Sequence, residues 1–123
     1  MQSKIANMSV RFERNRQLLQ KLKNEKNKIN RQNILRSASR DFIVCLVECI
    51  SSILKKKVPL NSKQRNKLAK YAKVLRQISK VRSEEKARDL LVQKGGAFLP
   101  LVLPPLLAVA ASLFGDLISR SRQ

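Results

Sequence analysis

Seven large apolar residues recur at helical spacing between residues 38 and 56: Phe42, Ile43, Leu46, Val47, Ile50, Ile53 and Leu54. So wide a stripe predicts a helix buried over most of its surface. Lys55, Lys56 and Lys57 follow it, next to a helix C-terminus where cations are favoured. After the connection Val58-Pro59-Leu60, Asn61 or Ser62 is placed to cap a second helix, with Gln64 able to reach back. Leu68, Tyr71, Ala72, Leu75 and Ile78 form the apolar seam of that helix. Ser83 starts a third, with Glu84 and Glu85 in its first turn and Ala87, Leu90 and Leu91 facing inward. Gly95 stands where a helix C-terminal glycine belongs.

The flanks differ from this middle part. In residues 1–40, Ile5, Met8, Phe12, Leu19, Leu22 and Ile29 fall on a three-four spacing, with Asn15 and Lys26 in the same seam. This weak heptad fits a helix that pairs with a partner, and equally a basic arm that orders only on binding. Residues 97–115 carry no charge, and Pro100, Pro104 and Pro105 interrupt their first half. An uninterrupted helix is expected only from about Leu106, too short to cross a bilayer comfortably. Its apolar residues Leu106, Leu107, Val109, Leu113, Phe114, Leu117 and Ile118 suit either a membrane interface or ordinary core. The expected architecture is therefore all-α, in three parts: a basic N-terminal helix or arm (1–37), a basic helical unit (38–96) and a hydrophobic, proline-broken C-terminal tail (97–123).

Charge sharpens the picture. The 123 residues contain 27 Lys and Arg, 8 Asp and Glu and no His, a net charge of +19. Residues 1–96 hold every cation except Arg120 and Arg122 and every anion except Asp116. Such an excess implies a polyanionic partner, nucleic acid or an anionic membrane. Without His, the usual Ser-His-Asp and Cys-His nucleophile systems are excluded, and the carboxylates are scattered among cations. Two Cys and a few carboxylates are poor zinc ligands. The expectation is a nonenzymatic protein with no metal and no cofactor. Cys45 and Cys49 share a helix face with Phe42, Leu46 and Ile53 and read as buried thiols in a reducing, intracellular setting; a disulfide or metal role is the alternative. No secretory signal is expected in the polar residues 1–40.

Cations at Lys55, Lys56, Lys57, Lys63, Arg65, Lys67, Lys70, Lys73, Arg76, Lys80 and Arg82 are spread around the helical unit. That distribution suits phosphate neutralisation better than base reading, and a helix-turn-helix regulator is correspondingly disfavoured.

Leu91-Val92-Gln93-Lys94-Gly95-Gly96, followed by Leu99-Pro100 and the apolar run, resembles the small core proteins of adintoviruses and Maverick/Polinton elements. These are compared in turn with adenovirus core protein X, or mu. Phe42, Pro59, Leu60, Gln64, Leu68 and Leu75 fit the same pattern more softly, while Lys55 to Val58 replace the Asn-Gly turn of relatives. The resemblance implies a virion core protein that binds and condenses double-stranded DNA, in the virion interior and in the host nucleus during assembly. Capsid proteins and self-association complete the implied contacts. It also implies a viral cysteine protease acting at Gly95, Gly96 and Ala97, although Gln93 stands where an aliphatic residue is usual; a helix C-cap and hinge is the simpler reading of the same glycines. A membrane-active capsid-interior protein working through the apolar segment is the alternative function.

Overall fold

The computed structural model describes residues 4–56 and 58–122, with side chains for residues 10–56 and 58–108. Among these the chain forms six helices and no strand: α1 (Lys4–Asn24), α2 (Lys28–Ser37), α3 (Arg40–Leu54), α4 (Ser62–Ala69), α5 (Ala72–Lys80) and α6 (Glu84–Arg122).

The starts of these helices follow local chemistry. The Asn27 side chain accepts from the Asn30 amide and opens α2. Ser39 does the same for Phe42 and opens α3. Asn61 and Gln64 close a reciprocal capping box on α4, with Gln64 N–H to Asn61 Oδ1 at 2.8 Å and Asn61 N–H to Gln64 Oε1 at 3.0 Å. The Lys86 amide donates to Ser83 Oγ at the start of α6. The apolar stripe expected on α3 is buried at Phe42, Ile43, Leu46, Ile50 and Ile53.

The expected single helix after Asn61 is instead two. α4 and α5 are separated at Lys70–Tyr71, where the Tyr71 amide donates to the Leu68 carbonyl in a tight turn. The Tyr71 ring meets Phe98 of α6 at 6.4 Å between centroids, a tilted aromatic contact that holds the bend against the core.

The larger correction concerns the end of the chain. Gly95 does not terminate a helix and Pro100, Pro104 and Pro105 do not break one; α6 runs through all of them for 39 residues, about 58 Å at 1.5 Å per residue. It lies against each of the other five helices. Phe98, Leu99, Val102, Leu103 and Leu106 join Phe12, Leu19, Leu35, Phe42 and Leu46 in one buried cluster. A helix enclosed on many sides needs apolar residues around most of its circumference, which is why this stretch looks like a membrane segment in sequence. Proline removes an amide and leaves the carbonyl four residues earlier without its donor. For Pro100 that carbonyl belongs to Gly96, and Arg31 Nη2 approaches it at 3.4 Å. Pro100 and Pro104 themselves lie on the exposed side of α6.

Gly95 is buried at the crossing of α6 with α2: a Cβ there would stand 2.8 Å from Leu99 Cδ1 and 3.8 Å from Leu35 Cδ1. Gly96 is not so confined, since its Cβ would meet only the Lys28 side chain at 3.5 Å or more. Gly96→Ala is therefore expected to raise stability by about 0.5–1 kcal/mol through helix propensity, read as a higher urea midpoint with unchanged slope.

The heptad seam of α1 holds at Phe12, Leu19 and Leu22, all buried, and its partners are α6 and α3 of the same chain. It ends where Asn27 starts α2, so Ile29 is left exposed. Ile5 and Met8 lie outside the described side chains. Asn15 earns its seam position by donating to Asp41 Oδ2 at 2.9 Å and to the Arg11 carbonyl at 2.8 Å. Asp41 also receives Arg14 and Arg11, and Arg11 reaches Glu48 at 2.8 Å, so a polar network ties α1 to α3.

Arg14, Asn15 and Arg11 hold the Asp41 carboxyl down from 3.8 to about 2. A carboxylate depressed in the folded state adds stability above its unfolded value and loses it as pH falls. Stability is expected to decline as pH drops from about 4 towards 2, and Asp41→Asn is expected to flatten that acid limb. Urea titrations of both proteins at neutral and acid pH measure the difference.

Candidate nucleic-acid interface

The cations separate into two populations. Outside residues 55–82, four arginines are engaged, Arg11 and Arg14 with Asp41, Arg16 with Glu13, and Arg88 with Glu84, while others such as Lys21, Lys23, Arg36 and Arg40 are exposed. Arg88 does more, since its Nη1 also donates to the carbonyls of Leu35, Arg36 and Ala38 at 2.7–3.3 Å. A guanidinium from α6 thus satisfies the C-terminal carbonyls of α2 that no helical amide can reach.

The second population is free. Between Glu48 and Glu84 the chain carries eleven cations and no carboxylate. Lys55 and Lys56 stand at the end of α3, Lys63, Arg65 and Lys67 on α4, Lys70 at the bend, Lys73, Arg76 and Lys80 on α5, and Arg82 in the connection to α6. All ten are exposed, and none makes an ion pair among the described residues. Lys57 lies outside the described residues. Leu68, Leu75 and Ile78 fix α4 and α5 to the core from their other side. Like charges so dense along the chain repel, and the repulsion is relieved by an anionic partner or by salt.

Two further cations come to this region from distant sequence. Lys28 from the start of α2 and Lys94 from α6 line a cleft of about 520 Å³ with Tyr71, Gln93 and Gly96. No local signal marks them, because their proximity depends on how α2, α5 and α6 cross.

The glycines proposed for proteolysis sit inside α6, Gly95 buried, Gly96 half-buried and Ala97 exposed. A protease that binds extended chain reaches them only when this part of α6 unwinds. Of the residues expected to touch a membrane, Leu106 is 3% exposed and Leu107 packs partly on the core. Val109, Leu113, Phe114, Leu117 and Ile118 lie outside the described side chains. Cys45 and Cys49 are buried and form no disulfide; the hydrogen bond the Cys49 thiol gives Cys45 and its burial push it well above its usual range, so it stays protonated at neutral pH.

No family model matches the chain, and neither do any curated protein or solved structure.

Proposed function

We propose that this chain is a nonenzymatic virion core protein that binds and condenses double-stranded DNA by neutralising phosphates without reading bases. The carrying observation is the exposed, carboxylate-free run of cations from Lys55 to Arg82. Dispersed Lys and Arg suit the phosphate backbone, whereas base reading needs a few aimed side chains on one recognition element. With no Trp and a Tyr that packs on Phe98, stacking on unpaired bases is poorly supplied. The virion interior, the host nucleus during assembly, capsid-protein contacts, self-association and a viral cysteine protease acting at Gly95–Ala97 come with the resemblance carried by Leu91–Gly96.

The test is a salt titration of the full chain on duplexes of unrelated sequence. Engaging about eight phosphates gives a log-log slope near −7 between 50 and 200 mM salt, the same for every duplex. A shallow slope, or strong preference for one sequence, rejects the reading.

A second reading, membrane activity through the apolar, proline-containing segment from Ala97 onward, draws on one observation. Glu84–Ala108 is long and apolar enough to cross a membrane by length and composition, though half of its most apolar stretch is buried within the bundle. In this reading α6 leaves the bundle to enter lipid. Release of dye from anionic vesicles by the full chain, with loss of Phe98 protection from solvent, supports it; intact vesicles reject it.

A further inference from the structure

The α3–α5 corner contains a cavity of about 350 Å³ that DNA cannot use. Its walls are Ile53, Val58, Leu60, Leu68, Ala72 and Leu75, contributed by the end of α3, the following connection, and the inner faces of α4 and α5. A phosphodiester gains nothing from such walls. An alkyl chain does, at about fourfold in affinity for each methylene buried. The volume lies within the range of small-molecule clefts, which combine apolar walls with a few charged groups.

Among the described residues, the charged groups lining this cleft are Lys56 and Arg65, both exposed and both cations. Lys56 is unusual in its backbone. It closes α3 with φ at 61°, its amide donating to the Ile53 carbonyl. This is the left-handed position after a helix end that glycine occupies without strain and that a lysine side chain resists. A lysine held there places an ammonium beside the apolar opening at a steric cost glycine would avoid. The nearest carboxylates along the chain are engaged elsewhere, Glu48 with Arg11 and Glu84 with Arg88.

We propose that this cavity binds a single-chain anionic amphiphile, specifically a free medium-chain carboxylate, with its alkyl chain between α3, α4 and α5 and its carboxylate between Lys56 and Arg65. The site does not depend on the DNA-binding reading, and it stands apart from the apolar C-terminal half of α6.

The test uses the full chain and the series hexanoate, octanoate and decanoate, each below its micelle concentration, followed by calorimetry and by methyl NMR. Saturable one-to-one binding is expected, tightening about fifteenfold with each two-carbon extension until the cavity is filled. The shifted methyl groups are expected to be those of Ile53, Val58, Leu68 and Leu75. Ala72→Phe fills the cavity without changing charge and is expected to weaken decanoate binding at least tenfold. Lys56→Gly keeps the backbone turn, removes the ammonium and is expected to cost about tenfold. Octyl glucoside, neutral and similar in chain length to octanoate, is expected to bind more weakly than octanoate. Binding of many carboxylates per chain, with shifts spread over surface lysines, identifies ionic adsorption and overturns the proposal. Undiminished binding by a folded Ala72→Phe protein, or octyl glucoside binding as tightly as octanoate, overturns it too. Should Ala72→Phe not fold, the methyl shifts of the unaltered chain decide between the cavity and the surface.

Discussion

Leu103→Asp is expected to unfold the whole protein. Leu103 is completely buried in α6, in the same cluster as Phe98, Val102, Phe42 and Leu46. The substitution removes a core leucine, worth about 2–5 kcal/mol, and adds a carboxyl group without a partner, worth about 1–3 kcal/mol more. The sum approaches the total stability of about 5–15 kcal/mol typical of a domain. Leu46→Asp on α3 is expected to have the same effect for the same reason. Gln93→Asp, on the exposed side of α6, is the control and is expected to change little. Circular dichroism during urea unfolding separates the outcomes. If Leu103→Asp loses only the helical signal of α6 while α1 to α5 persist, the C-terminal half of α6 is a separable segment. The same packing argues that ending the chain at Gly96, which removes Phe98, Leu99, Val102, Leu103 and Leu106 from the core, disrupts the bundle rather than trimming a tail.

The second large effect concerns DNA. Replacing Lys67, Lys70, Lys73 and Arg76 together by Gln is expected to weaken duplex binding about 10³-fold at 0.1 M salt and to make the salt slope shallower by about 4. Each phosphate contact contributes a slope of about 0.9, hence roughly an eightfold factor at that salt concentration. Folding is expected to be spared, because these four side chains are exposed and pair with no carboxylate. A matched control replaces Lys21, Lys23, Arg36 and Arg40, which are also exposed and belong to α1, α2 and α3 rather than to α4 or α5. If the control loses as much affinity as the α4–α5 variant, binding follows net charge alone and the α4–α5 surface has no special part in it.

Much of this protein is local and could be read along the chain. The wide stripe from Phe42 to Leu54 had to be a buried helix, because nothing else hides so many apolar side chains at that period. Ser39, Asn61 with Gln64, and Ser83 mark helix starts through bonds that span three residues. The exposed lysines of α4 and α5 follow from the same periodicity, since Leu68, Leu75 and Ile78 fix which side faces inward. Cys45 and Cys49 are buried with their helix face.

Other features depend on contacts distant in sequence. Asn15 weakens the α1 heptad in isolation; only the Asp41 carboxylate, brought by α3, makes it a good seam residue. At the bend, Tyr71 packs on the Phe98 ring, 27 positions away. Lys28 and Lys94 line one cleft only because α2 packs against α6. The apolar end of the chain shows the division most clearly. Its glycines and prolines carry local penalties against helix, about 1 kcal/mol for a glycine and about 3 kcal/mol for an interior proline. What sequence determined was that residues 97–108 must leave water and that a regular helix there is costly. Tertiary structure decided that they stay helical, because the bundle buries Phe98, Leu99, Val102, Leu103 and Leu106 and Arg31 reaches the carbonyl that Pro100 leaves without an amide.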